Sequence, residues 1–174
     1  MAKAMTIGRL FALAVALSLC AVACGRDGRT APGPGDQPLG KPASSQCVHA
    51  ACGNNYFVDT EQVGSCAVGA KCEAALTLVA VGAYHINDEY PYKFIAEAAP
   101  GVTYRGLDGA GANVFSKAAG NWSQRDEKTG AMTAAFTPSD RSAKKLSGTF
   151  KFSVCSAQNC QLEHVPVAVA LAVE

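Results

Sequence analysis

Six cysteines in three close pairs are the residues of this sequence whose type and spacing could do chemistry. They are Cys47, Cys52, Cys66, Cys72, Cys155 and Cys160. Pairs at such short separations can form structural disulfides, exchange electrons as a redox-active dithiol, or hold a metal ion. Because each chemistry needs a different environment, the elements that carry the cysteines have to be considered next.

A metal site is the least favoured of the three. The spacings are C-x4-C, C-x5-C and C-x4-C, which are looser than the C-x2-C knuckle typical of zinc sites. His49 and His164 show no ligand spacing with each other, and His85 lies in an apolar-rich stretch where we expect a surface or edge position. The sequence therefore predicts no metal and no other cofactor.

The last pair has the most chemical content. Cys155 and Cys160 bracket a four-residue loop. A hairpin with such a loop places its flanking residues opposite each other, within the Cα separation that a disulfide accepts. Whether the bond is structural or exchangeable depends on its exposure and on thiolate stabilisation, and no lysine or arginine adjoins it in the sequence. Both interpretations stay open.

The elements around the cysteines are predicted to be strands. From Leu146 to Val154, apolar or glycine residues occupy the even positions and polar side chains the odd ones, which indicates a half-buried strand. From Val165 to Val173, valine or leucine recurs at every second position and predicts a partner strand. Ala74 to Val81 alternates with apolar residues on both faces, which predicts a central strand covered on both sides.

Shorter strand candidates are separated by turn signals such as Asn87-Asp88 and Pro100-Gly101. The candidates are Tyr84–Ile86, Tyr92–Ile95, Val102–Tyr104 and Met132–Phe136. Trp122 is expected to pack at the base of a loop. Many short strands with no helix-length periodic run predict an all-β fold, an immunoglobulin-like antiparallel β-sandwich.

The first 23 residues have the pattern of a secretion signal. Lys3 and Arg9 give a positively charged start, and the apolar run from Leu10 to Ala23 is too short to span a bilayer core of ~30 Å as a helix. We therefore expect cleavage and export. An even number of cysteines in an exported chain predicts three disulfides, because the compartment is oxidising. Cys47, Cys52, Cys66 and Cys72 are expected to form structural bridges, but their connectivity is left open.

The segment Ala21-Val22-Ala23-Cys24 resembles the lipobox of bacterial lipoproteins. The resemblance implies that Cys24 is lipidated and begins the mature chain. It also implies sorting to the outer membrane, since Gly25 rather than aspartate follows. The alternative is ordinary cleavage at an Ala-x-Ala site, which would leave Cys24 as a free thiol.

Residues 24–46 are rich in proline and glycine and carry almost no large apolar side chain. Such a composition cannot bury enough surface to offset the entropy of ordering, so a disordered tether is predicted. The chain thus divides into a signal peptide at 1–23, the tether at 24–46 and one disulfide-stabilised domain at 47–174. The expected partners are the membrane, through the lipid on Cys24, and another periplasmic or envelope protein.

Charge argues against nucleic acid as a partner. The chain has 15 lysines and arginines and 14 acidic residues, and loss of Lys3 and Arg9 with the leader leaves 13 basic residues. A phosphate backbone is bound through a surplus or cluster of basic residues. We therefore expect no nucleic-acid binding.

Residues 73–174 show a family resemblance. The run Ala83-Tyr84-His85-Ile86-Asn87, then Tyr90-Pro91, and Gly148-Thr149-Phe150 leading into a cysteine pair and a valine-rich strand, is similar to one group of periplasmic domains. These are the N-terminal immunoglobulin-like domain of the thiol:disulfide interchange protein DsbD and the related disulfide corrector domains. The resemblance implies a redox-active pair that passes electrons to periplasmic oxidoreductases, at positions Cys155 and Cys160.

Two functions remain open at this stage. A non-catalytic binding or structural module on an envelope lipoprotein is the favoured interpretation, and no catalytic residue can be assigned. The alternative is thiol-disulfide exchange through Cys155 and Cys160. Enzymatic activity is left open, with the balance against it.

Overall fold

The computed structural model describes residues 47–106, 112–143 and 145–174. The predicted signal peptide and tether, and with them Cys24, lie outside these residues. In the part of the chain that is described, no helix is long and apolar enough to cross a membrane. The described residues form eleven strands: β1 (Ala51–Cys52), β2 (Tyr56–Val63), β3 (Cys72–Ala80), β4 (His85–Ile86), β5 (Lys93–Ala96), β6 (Val102–Tyr104), β7 (Val114–Ser116), β8 (Trp122–Gln124), β9 (Thr129–Pro138), β10 (Lys145–Cys155) and β11 (Cys160–Ala170).

The strands form two sheets. The first has the order β1-β2-β3-β9-β6, with β8 also pairing with β9. The second has the order β11-β10-β5-β7, with β4 also pairing with β10. All pairings between these strands are antiparallel. The all-β antiparallel β-sandwich predicted from the sequence is confirmed.

The terminal hairpin follows from the period of two in the sequence. β10 and β11 are in register from Lys145 opposite Ala170 to Cys155 opposite Cys160. The apolar residues of β10 from Leu146 to Val154 that were predicted to face inward are buried, as are the alternating valines of β11. This hairpin carries the last cysteine pair at its tip.

Aromatic side chains fill much of the space between the sheets. The largest fully buried ones are Tyr92, Phe94, Phe115, Phe136, Phe150 and Phe152. Trp122 packs against this core, as expected of a packing residue, but it lies in β8 rather than at the base of a loop. Its ring stacks on that of Tyr92, with centroids 4.0 Å apart and planes at 1°.

Two features differ from the sequence-based expectation. β3 is central in its sheet, but its outward residues Thr77 and Val79 are only half-buried, so the strand is not covered on both sides. The strands β1, β2, β7 and β8 were not predicted. The pattern of β2 is weak because the inward residues of its second half, Thr60 and Gln62, are half-buried hydrogen-bonding side chains instead of apolar ones.

Candidate functional site

The predicted pair Cys155 and Cys160 forms a disulfide at the tip of the terminal hairpin. The two residues are directly opposite each other, the last pair of the β10–β11 ladder, with Cα atoms 4.0 Å apart. Cys155 also lies opposite His85 of β4. Cys155 is only 6% exposed, whereas Cys160 is exposed. An attacking thiolate would therefore meet the sulfur of Cys160 first.

The loop between these cysteines is held by its own hydrogen bonds. The main-chain N–H of Ser156 donates to the carbonyl of Asn159 at 2.7 Å. The Ser156 hydroxyl in turn accepts from the N–H groups of Gln158 and Asn159, each at 3.2 Å. Serine and asparagine commonly close turns in this way. The loop thus keeps the two cysteines opposite each other.

A chain of side-chain hydrogen bonds ties the hairpin tip to the rest of the domain. The Tyr84 hydroxyl donates to Asn159 Oδ1 at 2.9 Å and accepts from Gln161 Nε2 at 3.3 Å. Asn55 Nδ2, just before β2, donates to Gln161 Oε1 at 3.0 Å. Because these residues lie in three separate segments, the network braces the tip against both sheets.

The other four cysteines form two local bridges. Cys47 bonds to Cys52, and Cys66 to Cys72, so each of the three close pairs in the sequence is joined. Cys66 is 1% exposed, and its carbonyl accepts a 2.9 Å hydrogen bond from the N–H of Glu174. The three disulfides indicate an extracytoplasmic location, since the cytosol keeps thiols reduced.

The histidines considered as metal ligands have other surroundings. His49 Nδ1 lies 2.7 Å from Asp59 Oδ1, and its ring stacks on Phe57 with centroids 4.0 Å apart. His85 and His164 are exposed, on β4 and β11. Among the described residues, no three of histidine, cysteine, aspartate and glutamate are grouped to hold a metal ion.

The shifted pKa values belong to core tyrosines and a turn, not to a cleft. Burial raises the pKa of Tyr56 to about 12, and the Glu163 carboxylate, 3.3 Å from its hydroxyl, adds to the increase. Burial also raises the pKa of Tyr90, Tyr92 and Tyr104, while hydrogen bonds from Ser142 lower that of Asp140. Perturbed acids and bases cluster at catalytic sites. These five groups do not form such a cluster with the cysteine tip.

A groove of about 660 Å³ lies on the outer face of the first sheet, and sequence reasoning missed it. It lies where β9 changes its neighbour: β8 pairs with residues 130–132 and β6 with residues 136–138. Between these segments the main chains of Arg105 and Asn121 bond to β9 at 2.9 and 2.8 Å. The chain leaves the sheet after Arg105 and re-enters it at Asn121, which opens the groove.

Charged and polar side chains line the groove. The lining residues are Lys71, Glu73, Arg105, Gly120, Asn121, Thr133 and Ala135. The lining is concave because the outward residues of β9 here are small. Gly120, beside them, also adds no side chain, and its φ of 79° is a conformation that favours glycine. Two cations and one carboxylate therefore border a floor of small side chains.

Hydrogen bonds position the polar groups of the groove. Arg105 Nε donates to Thr137 Oγ1 at 3.4 Å, and Lys71 Nζ lies 2.9 Å from Glu73 Oε1. Asn121 Oδ1 accepts from the main-chain N–H of Ser116 at 3.1 Å, and its NH2 group has no partner within residues 47–106, 112–143 and 145–174. No single segment carries these residues, so no sequence motif could have revealed them.

Comparison with known proteins gives no family. No family model matches the chain, and no curated protein matches it. Among solved structures, it is similar to a cohesin module from a Clostridium perfringens family 33 glycoside hydrolase, with a TM-score of 0.31 and 13% identity over 69% of this chain and 97% of that one. It is also similar to AggA, the major subunit of aggregative adherence fimbriae type I from Escherichia coli, with a TM-score of 0.30 and 9% identity over 72% of this chain and 100% of that one. Similarity at this level carries no functional argument.

Proposed function

We propose that this chain is a bacterial envelope lipoprotein whose β-sandwich is a non-catalytic binding or structural module. The observation that carries the proposal is the braced state of the Cys155–Cys160 bridge. Cys155 is buried, the loop is closed by its own hydrogen bonds, and Tyr84 ties it to the domain. A redox-active pair has to open and close at every turnover, whereas all of these contacts favour the closed state.

The anchoring part of the proposal rests on the sequence before residue 47. The lipobox-like segment at Cys24 follows a short apolar run, and a proline- and glycine-rich tether connects Cys24 to the domain. A random coil of this length reaches about 25 Å, from ~5–6 Å multiplied by the square root of the residue number. Such a tether would hold the domain near the outer membrane while leaving its faces free for an envelope partner.

The structural role of the bridge is tested by its reduction potential. The exported protein with Cys24→Ala, which removes the extra thiol, is equilibrated in dithiothreitol buffers of defined potential, alkylated and mapped by mass spectrometry. We expect Cys155 and Cys160 to stay oxidised to below about −300 mV, as structural disulfides do. The Cys66–Cys72 bridge in the same sample is the matched control. A midpoint between about −120 and −270 mV, the range of oxidoreductases, would contradict the proposal.

Lipidation is tested separately in cells. Radiolabelled palmitate should be incorporated into the wild-type chain and lost with Cys24→Ala, and the protein should then leave the membrane fraction. Cys20→Ala, in the leader, is the matched control and should keep the label. Label that survives Cys24→Ala would exclude this anchor without affecting the conclusion about the bridge.

Thiol-disulfide exchange is the second candidate, and one observation favours it. Cys160 is exposed at the hairpin tip, so its sulfur is open to an attacking thiolate. The similarity of residues 73–174 to the disulfide interchange domains of the DsbD family points the same way. An oxidoreductase partner should then be trapped as a mixed disulfide by Cys155→Ser, which keeps Cys160. Cys160→Ser, which leaves only the buried thiol, is the control.

A further inference from the structure

We infer that the groove on the outer face of the first sheet binds a carboxylate group, and we propose an acidic peptide segment as its source. The inference rests on the proposed binding role and specifies its ligand. The groove is lined by Lys71, Arg105 and Glu73, with Asn121 and Thr133 beside them. Its volume of about 660 Å³ is within the range of ligand sites, ~300–1,000 Å³.

Arg105 is the residue best placed to recognise a carboxylate. Its Nε donates to Thr137 Oγ1 at 3.4 Å, which orients the guanidinium, and among the described residues its two terminal nitrogens have no hydrogen-bond partner. A planar guanidinium donates two parallel hydrogen bonds to a carboxylate, a geometry that lysine cannot reproduce. Because the main chain of Arg105 is bonded to β9, this side chain starts from a fixed position.

Glu73 shows which kind of group the groove already accepts. Its carboxylate lies 2.9 Å from Lys71 Nζ, and both side chains are partly exposed, 39% and 66%. Exposed ion pairs of this kind add little stability, so a ligand carboxylate can displace Glu73 from the ammonium group at small cost. Two cations against one carboxylate leave the lining with a surplus of positive charge for an incoming anion.

The remaining lining groups suit a peptide better than a bare anion. The Asn121 NH2 group and the Thr133 hydroxyl can bond to neutral carbonyl and amide groups. The small side chain of Ala135 leaves room above the floor of the sheet. An acidic side chain with its flanking peptide units would use all of these groups, whereas a free carboxylate would use only the cations.

The experiment is a titration of the exported Cys24→Ala chain, labelled with nitrogen-15, followed by NMR. The probe is acetyl-Gly-Glu-Gly-amide, and the control is the same peptide with glutamine in place of glutamate. Separate titrations with glutarate and with inorganic phosphate measure the binding of small anions. We expect amide shifts at Glu73, Arg105, Asn121 and Thr133 with the glutamate peptide, weakening as ionic strength rises. Glutarate should bind more weakly, and the glutamine peptide should give no shift there.

Variants separate recognition from general charge. Arg105→Gln should weaken binding about tenfold, as loss of a charge-assisted hydrogen bond does, and Arg105→Lys should restore only part of it. Glu73→Gln should tighten binding several-fold, because it removes the competing carboxylate. Lys93→Gln, which removes a charge on the second sheet, is the matched control and should change nothing. The dispersion of the spectra verifies that each variant is folded.

Several outcomes would overturn the inference, each in a distinguishable way. Equal shifts with the glutamate and glutamine peptides, or weaker binding in Glu73→Gln, would show that the groove does not select a carboxylate. Saturable shifts confined to the Cys155–Cys160 tip would also refute the groove as the site, while leaving the domain a binding module. Tighter binding of phosphate than of the glutamate peptide would refute the peptide as ligand.

Discussion

The substitution Gly130→Ala tests whether the stacked core around Trp122 sets the packing of the first sheet. Gly130 lies in β9, and a Cβ built on it would lie 2.2 Å and 2.4 Å from two carbons of the Trp122 indole ring. These separations are far below van der Waals contact, so the ring must move. It cannot move freely, because it stacks on Tyr92 at 4.0 Å and packs beside Phe150 at 6.3 Å.

The magnitude follows from two opposing effects. Alanine is the better residue for a strand interior and gains roughly 0.5–1 kcal/mol over glycine by reducing backbone entropy. Overpacking of a well-filled core costs typically 1–3 kcal/mol. The clash is with a rigid ring that already stacks on Tyr92 and packs beside Phe150, so the cost should lie in the upper half of that range. We therefore expect Gly130→Ala to lower the free energy of unfolding by about 1–2 kcal/mol.

The assay is urea denaturation with disulfides intact, followed by circular dichroism, together with the fluorescence of Trp122, the single tryptophan of the chain. In thermal melts, a loss of 1 kcal/mol lowers the melting temperature of a domain of this size by roughly 3–6 °C, so the change should be measurable there too. In a Trp122→Phe background, which lacks the clashing carbons, Gly130→Ala should be neutral or stabilising. A Gly130→Ala protein as stable as the wild type would refute the reasoning.

Three further predictions concern stability. Tyr92→Phe should cost about 1–3 kcal/mol, because it removes the single O–H that the carbonyls of Ser153 and Asn87 share at 2.9 Å, and also the oxygen that accepts from the Asn87 N–H at 3.0 Å. Tyr104→Phe, which loses one bond to Glu97, should cost less in the same thermal melts. Replacing both Cys66 and Cys72 by alanine should cost about 2 kcal/mol, the loop-entropy value for a closed loop of this length, as measured by urea denaturation. Because the pKa of Tyr56 is about 12 in the fold and about 10 when unfolded, unfolding releases a proton between these values. The free energy of unfolding should therefore fall from pH 10 to 12, and less steeply in Tyr56→Phe.

The sequence predicted the strands whose buried faces are wholly apolar. β10 alternates without interruption and β11 does so from Val165 onward, and the four-residue loop between the two cysteines places Cys155 opposite Cys160. β2 escaped prediction because Thr60 and Gln62 replace apolar residues on its inner face. The Thr60 hydroxyl donates to the carbonyl of Ala168 at 2.9 Å, and the Gln62 amide bonds to both main-chain groups of Ala172. Those bonds join the edges of two sheets, and no local pattern reveals them.

The groove could not be predicted for a related reason. Lys71, Arg105 and Asn121 lie far apart in the sequence, and they meet only because β9 exchanges β8 for β6 along its length. The change of neighbour along β9 is a property of the sheet topology. Cysteine pairing in this chain is local, and the short spacings of the pairs predict it. The sequence therefore directed attention to the cysteine tip, whereas the groove became visible only in the structure.

The disulfides and the groove are connected through one residue. Cys72 points into the core and bonds to Cys66, and its two neighbours in the sequence, Lys71 and Glu73, line the groove. Since alternate residues of a strand face opposite sides of the sheet, fixing Cys72 from within also fixes the start of β3, from which Glu73 projects, and Lys71 directly before it. A binding site gains affinity when its groups are held in place before the ligand arrives. The Cys66–Cys72 bridge can thus serve recognition without any redox chemistry, which is how a module with three disulfides can be non-catalytic and still depend on them.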